Sequence, residues 1–151
     1  MSSPYEAPVL SEIGCWVIGY NKTRSPGAFS AGNDKDNQVF VARSNQFGSW
    51  IPGKYIETLG AYVSLEGQEI SCDKFEILCL SKMRWQKAVG GEIPANAFIG
   101  SKGGGETLYV GRVKHEGNRV SVGKVKSPYN VCEYPMDGRE VTSNNFDILV
   151  V

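Results

Sequence analysis

The sequence has no excess of either charge. Sixteen Lys and Arg balance sixteen Asp and Glu, so there is no basic surplus to neutralise a row of phosphates, and nucleic acid is not an expected partner. Histidine is nearly missing: the chain has only His115. Its four cysteines, Cys15, Cys72, Cys79 and Cys132, show none of the C-x-x-C spacings of a zinc site. Neither a structural zinc nor a two-histidine catalytic metal is expected. The cysteines are widely spaced in a chain long enough to bury a core without cross-links, so free, mostly buried thiols follow. No run of eighteen apolar residues occurs, so no membrane span is expected. The opening MSSPYEAPVLSEIG has neither a charged segment leading into an apolar one nor an Arg-rich amphipathic pattern. The expectation is a cytoplasmic, vesicular or surface-associated protein without a classical signal peptide, with unconventional secretion as its way out of a cell. Helical stretches are scarce too. Eighteen glycines and seven prolines leave LSKMRWQKAV as the one helical window, and almost no helix is expected.

What the chain does have is an internal repeat. Trp16 falls on Trp85 (85 − 16 = 69), and at the same spacing Ala28-Phe29 falls on Ala97-Phe98, VFVAR on LYVGR and Gly48 on Gly117. After one inserted residue Gly53-Lys54 falls on Gly123-Lys124; after another, GQE falls on GRE and FEIL on FDIL. The chain is therefore read as two units of roughly 70 residues: a first repeat over 15–80, the short SKMR linker at 81–84, and a second repeat over 85–151. Residues 1–14 form a tail or an added edge strand.

Each unit reads as β-structure, because its apolar segments are short, rich in Val, Ile, Tyr and Phe, and bounded by Gly, Pro and Asn. In TLYVGRVK, Leu108, Val110 and Arg112 share one face, and Tyr109, Gly111 and Val113 the other; Val39, Val41 and Arg43 repeat the parity. The expected fold is all-β: two pseudo-symmetric units packed face to face as a β-sandwich-like domain. Arg43 and Arg112 recur with Glu69 and Glu140, which suggests an ion pair within each unit. Trp16 and Trp85 are read as core or interface anchors.

GSWIPGKY, residues 48–55, imitates the start of a phosphate-binding loop but lacks its chemistry. Tyr55 replaces the magnesium-binding hydroxyl, Pro52 removes a backbone N–H, and no helix follows. The glycine-rich GSKGGGET leads into a strand, so a dinucleotide fingerprint is no better supported. What remains is a lysine that follows a glycine in both units. In the first, Asp34 of AGND precedes Lys54 by twenty residues (54 − 34 = 20), and Trp50 and Tyr55 lie beside that lysine in the chain. A carboxylate that only accepts and an ammonium that only donates together suit vicinal hydroxyls, each of which does both. An aromatic face such as Trp50 or Tyr55 would cover the apolar side of a sugar ring.

With PGAFSAGND, VFVAR, IPGK, GQE and FEIL in the first unit, and IPANAFIGSKGGGETLYVGR, VGK, GRE and FDIL in the second, the chain resembles the DM-nine repeat family. The resemblance covers residues 16 to about 150 and rests on ordered motifs that occur twice. That family includes tandem-repeat mannose-binding lectins of invertebrate immunity and the N-terminal module of natterin-type toxins. In its lectin members the Asp of A-G-x-D and the Lys of P-G-K hold mannose, positions that fall on Asp34 and Lys54 here. The resemblance implies a largely β fold of two units that exchange strands, homodimers, agglutination and a role in innate immune recognition or host–pathogen surface contact. In the second unit the aligned residues are Lys102 and Gly103, so Lys124 lacks the carboxylate of the pattern, and Glu106 is the nearest substitute.

No enzyme activity is expected. A glycosidase needs two carboxyls at a set separation, and only Asp34 has a repeat-derived place; a Ser-His-Asp device would rest on His115 in KHEG, read as a turn. No cofactor or metal is expected either, because NDKDN, with Asp34 and Asp36, lacks the following glutamate and glycine turn of a calcium loop. The alternative function is a protein-interaction module or scaffold that uses both lysine loops.

Overall fold

The computed structural model describes residues 12–103 and 105–151. The expected N-terminal tail or edge strand lies, up to position 11, outside the described residues. The protein is all-β: fourteen strands in one hydrogen-bonded network, with a single 3-10 turn at Val89–Gly91 among the described residues. The one window with helical character instead contributes a strand, Arg84–Lys87, because Trp85 must face the core.

The first half contains β1 (Cys15–Ile18), β2 (Ser30–Asp34), β3 (Asn37–Gln46), β4 (Ser49–Ile56), β5 (Gly60–Leu65), β6 (Gln68–Cys72) and β7 (Glu76–Cys79). The second contains β8 (Arg84–Lys87), β9 (Ile99–Gly103), β10 (Glu106–His115), β11 (Arg119–Ser127), β12 (Val131–Met136), β13 (Arg139–Ser143) and β14 (Asp147–Val150). Pairings correspond across the halves: β1–β7 with β8–β14, β3–β4 with β10–β11, and β5–β6 with β12–β13. Two-residue turns make three of these hairpins sharp. Phe47-Gly48, Glu66-Gly67 and Asp137-Gly138 all have positive φ at both positions, the primed geometry that matches the twist of the flanking strands.

The halves do not stack as two separate sheets. Strand order β3-β4-β5-β6-β13-β12-β11 is closed by β2, which pairs with both β11 and β3, so eight strands form a ring. This replaces the sandwich expectation, and the reason lies in the two seams. At one, Gln68 opposes Arg139, and glutamates lock the contact reciprocally. Gly138 N–H donates to Glu69 Oε1 and Gly67 N–H to Glu140 Oε1, each at 3.2 Å. At the other, Asp34 opposes Arg119, and Lys35 N–H donates to Asn118 O.

Buried side chains form one cluster in each half and one between them. The alternation in β3 explains this: Phe40 and Ala42 enter the first unit's core, whereas Val39 and Val41 meet Val110, Val122 and Leu149 in the shared one. Trp16 stacks on Phe98 at 6.4 Å and Trp85 packs against Phe29 at 6.2 Å, so both tryptophans anchor across the halves as the repeat suggested. The cysteines are free, and all but Cys15 are buried.

The arginines and glutamates pair differently from the expectation. Arg43 bonds Glu76 at 2.6 Å and Arg112 bonds Asp147 at 2.8 Å, because β3 and β10 lie directly beside β7 and β14. Glu69 and Glu140 instead face the two repeated lysines, at 3.9 Å from Lys54 and 3.0 Å from Lys124.

Candidate functional site

Lys54 leaves β4 towards the interior of the ring and crosses it, with Nζ donating to Pro135 O on β12 at 3.2 Å. Its twin does the same in mirror order: Lys124 Nζ on β11 donates to Ser64 O on β5 and to Glu140 Oε2 at 3.0 Å. The glycine before each lysine is required by the close approach of the neighbouring paired strand, β5 beside β4 and β12 beside β11. A Cβ on Gly53 would stand 2.2 Å from Tyr62 O, and one on Gly123 2.0 Å from Glu133 O, so no side chain fits between the strands there.

Asp34 and Lys54 line the same cleft, a space of about 260 Å³ that opens at the β2–β11 seam. Asp34 ends β2 and its Oδ1 accepts from Arg119 Nε at 2.7 Å. The lysine is only 8% exposed, and burial lowers its pKa below the ordinary lysine value, opposed by the charges of Glu69 and Asp34. Tyr62 lies opposite Lys54 in register, with Nζ 5.9 Å from its ring centroid. Leu59 and Met136 add apolar atoms to the lining, and Asp137 a further carboxylate. An ammonium has three donor directions; Pro135 O takes one, Glu69 stands 3.9 Å away as an ion-pair partner, and donor capacity remains for a ligand. Arg119 holds Oδ1, and the Asp34 carboxylate is an acceptor in the cleft lining. A fixed acceptor beside a fixed donor is what a diol requires.

The remaining sequence-predicted residues separate. Tyr55 is fully buried; it stacks on Phe75 at 5.3 Å, and its hydroxyl donates to Thr23 O at 3.1 Å. It is a core residue because its neighbour Lys54 takes the interior face of β4 and strand alternation sends Tyr55 the other way. Trp50 is also withdrawn, since the guanidinium of Arg43 lies between Trp50 and Trp16, 4.4 Å from each ring. Lys102 is exposed on β9, opposite Thr107, and does not line the cleft of Lys124. That second cleft, about 270 Å³, brings Lys124 together with Glu106 and Lys126. His115 ends β10 instead of lying in a turn; its Nε2 is 3.0 Å from Ser121 Oγ.

Sequence reasoning missed Arg119, Glu69 and Tyr62. The recurrence of Glu69 as Glu140 was a signal, assigned to the wrong cation. Nothing in the chain marked Arg119, whose aligned position in the first unit is Ser49. Among the described residues no group of three or more metal-ligating side chains occurs, and no helix is long and apolar enough to cross a membrane.

Comparison with solved structures finds the fold in the nematode sperm cell motility protein MFP2B, with a TM-score of 0.62 and 11% identity. The match covers 89% of this chain and 42% of that one, so this chain spans under half the length of that protein. No curated protein sequence matches the chain. The model of the DM9 repeat matches residues 33–143, the span that contains Asp34, Lys54, Glu69, Arg119 and Lys124, and the chain belongs to the DM9 repeat family.

Proposed function

We propose that this protein is a non-enzymatic lectin that takes a mannose-type hexose in the cleft between Asp34 and Lys54. One observation carries the reading: two side chains twenty positions apart, on different strands, line a single cleft with an acceptor and a donor. The space is below the ~300–1,000 Å³ of drug-sized pockets, a fit for a single sugar ring. Asp34 accepts from one hydroxyl of a vicinal pair and Lys54 donates to the other, while Arg119 holds the carboxylate in place. Burial keeps Lys54 from competing water and strengthens its hydrogen bond to a hydroxyl.

A cleft this small gives weak single-site affinity, and useful avidity comes from a homodimer or larger assembly that presents several clefts to one glycan surface. Retention on mannan resin, with release by free mannose, tests the site. Wild-type protein should be retained, whereas Asp34→Ala and Lys54→Ala should elute in the wash, and Arg119→Ala should be weakened because Asp34 loses its anchor. Melting curves of the same variants identify any loss that is only unfolding. Retention unchanged in folded Asp34→Ala and Lys54→Ala removes this cleft from the account. No retention of the wild type favours the protein-interaction alternative.

A further inference from the structure

We propose that the second cleft is a further saccharide site, of different construction, in which a pyranose ring lies on Phe47 and hydrogen-bonds to Glu106 and Lys126. The proposal rests on the carbohydrate reading of the protein and adds a site to it. The floor of this cleft copies the first, with Lys124 tied to Glu140 and to Ser64 O as Lys54 is tied to Glu69 and Pro135 O. Leu65 and Glu66 line it where Met136 and Asp137 line the first. Its rim is new. Lys126 stands where the first unit has Ile56, and Glu106, the first residue of β10, brings a carboxylate that the aligned Gly103 cannot.

Phe47 points to a ligand. It lines this cleft and is 95% exposed, so its ring buries almost nothing within the chain. Its φ of 54° is left-handed, which a bulky residue adopts rarely, and the first position of such a turn favours Asn, Asp or Gly. Neither packing nor turn chemistry accounts for an aromatic ring at this point. An exposed ring at the mouth of a cleft with a carboxylate and an ammonium supplies what a pyranose needs: an apolar surface for its C–H face, an acceptor and a donor. Lys124 is nearly sealed by its own partners, at 2% side-chain exposure, so Lys126 is the working cation. It bonds Glu133 at 3.2 Å and keeps donor directions to spare.

Stacking on one aromatic face favours a sugar whose ring hydroxyls are all equatorial, because axial C–H bonds then cover both faces. Mannose interrupts one face with its axial 2-hydroxyl. A gluco-configured ring can therefore stack by either face and mannose by one, which makes a glucoside the suitable probe of the second cleft, in contrast to the diol-reading first cleft. Methyl β-glucopyranoside, titrated into the isotope-labelled full chain and followed by backbone amide shifts, is the test. Shifts should cluster at Phe47, Gly48 and Glu106; Phe47→Ala or Glu106→Gln should weaken binding tenfold or more, and Asp34→Ala should leave it unchanged. Phe47 is exposed, so its loss should not disturb the fold. If the glucoside moves no resonance near Phe47, or binds Phe47→Ala and Glu106→Gln as it binds the wild type, the proposal is overturned. Methyl α-mannopyranoside on the same sample reports the first cleft separately, so failure of one site is distinguishable from failure of the other.

Discussion

Lys54 shows how much of this protein turns on single side chains. Its ammonium is nearly buried and its pKa is lowered by that burial, so it sheds its proton at a lower pH than the unfolded chain does at about 10.5. Between those two values the unfolded state holds the extra proton, and this group's penalty on stability is relieved as pH rises. On the proposed lectin reading, binding has the opposite trend, since the lost proton would be a donor to sugar. Mannan retention should therefore fall in the alkaline range before stability does, which parallel retention and melting measurements against pH would reveal. Phe47 offers a second residue-scale test. Phe47→Asn replaces a left-handed aromatic with a residue suited to the first position of a primed turn and should raise stability by about 0.5–1 kcal/mol, read as a higher melting temperature. A gain in stability together with a loss of glucoside binding would show that the ring is kept for its ligand.

At the scale of elements, the clefts depend on how closely β4 and β11 approach their neighbours. Gly123→Ala drives a methyl into Glu133 O, a backbone atom that cannot swing aside. It should cost about 3 kcal/mol, at the upper end of overpacking; a variant that melts like the wild type would contradict the close approach of β12 to β11 at this point. The ion pair beneath the second cleft is equally demanding. Lys124→Met leaves Glu140 beside Glu133 without its cation, and loss of one partner of a buried pair costs about 3–5 kcal/mol. The exposed pair Arg24–Glu57, at 3.7 Å with both side chains about half exposed, should respond differently: Arg24→Ala should change stability by less than about 1 kcal/mol. Denaturant midpoints for the two variants make the comparison, and equal effects would contradict the interior placement of Lys124.

For the whole molecule, the shared core decides cooperativity. Val39, Val41 and Leu78 from one half meet Val110, Val122 and Leu149 from the other, and both seams join the halves through hydrogen bonds as well as packing. Neither half can bury its apolar face alone, the expected condition of a repeat that stacks on its neighbour. Isolated fragments 12–80 and 81–151 should be largely unfolded, and mixing them should restore the sheet signal in circular dichroism. A folded, sharply melting single fragment would show instead that each half is an independent domain.

The sequence by itself determined the repeat and the all-β character, and it singled out Asp34 and Lys54 together, because these depend on periodicity, turn chemistry and motifs that lie along the chain. The parity of β3 and β10 was legible for the same reason, since side chains alternate whatever the strands pair with. Only the tertiary structure decided that β2 closes the ring onto β11, and with it that Arg119, eighty-five positions from Asp34, belongs to the first cleft. It also decided that Glu69 serves Lys54 and not Arg43, and that Phe47 stands at the mouth of the other half's cleft. The physical reason is common to all three: which strand edges meet across the ring is set by the packing of the whole, and no local pattern encodes it.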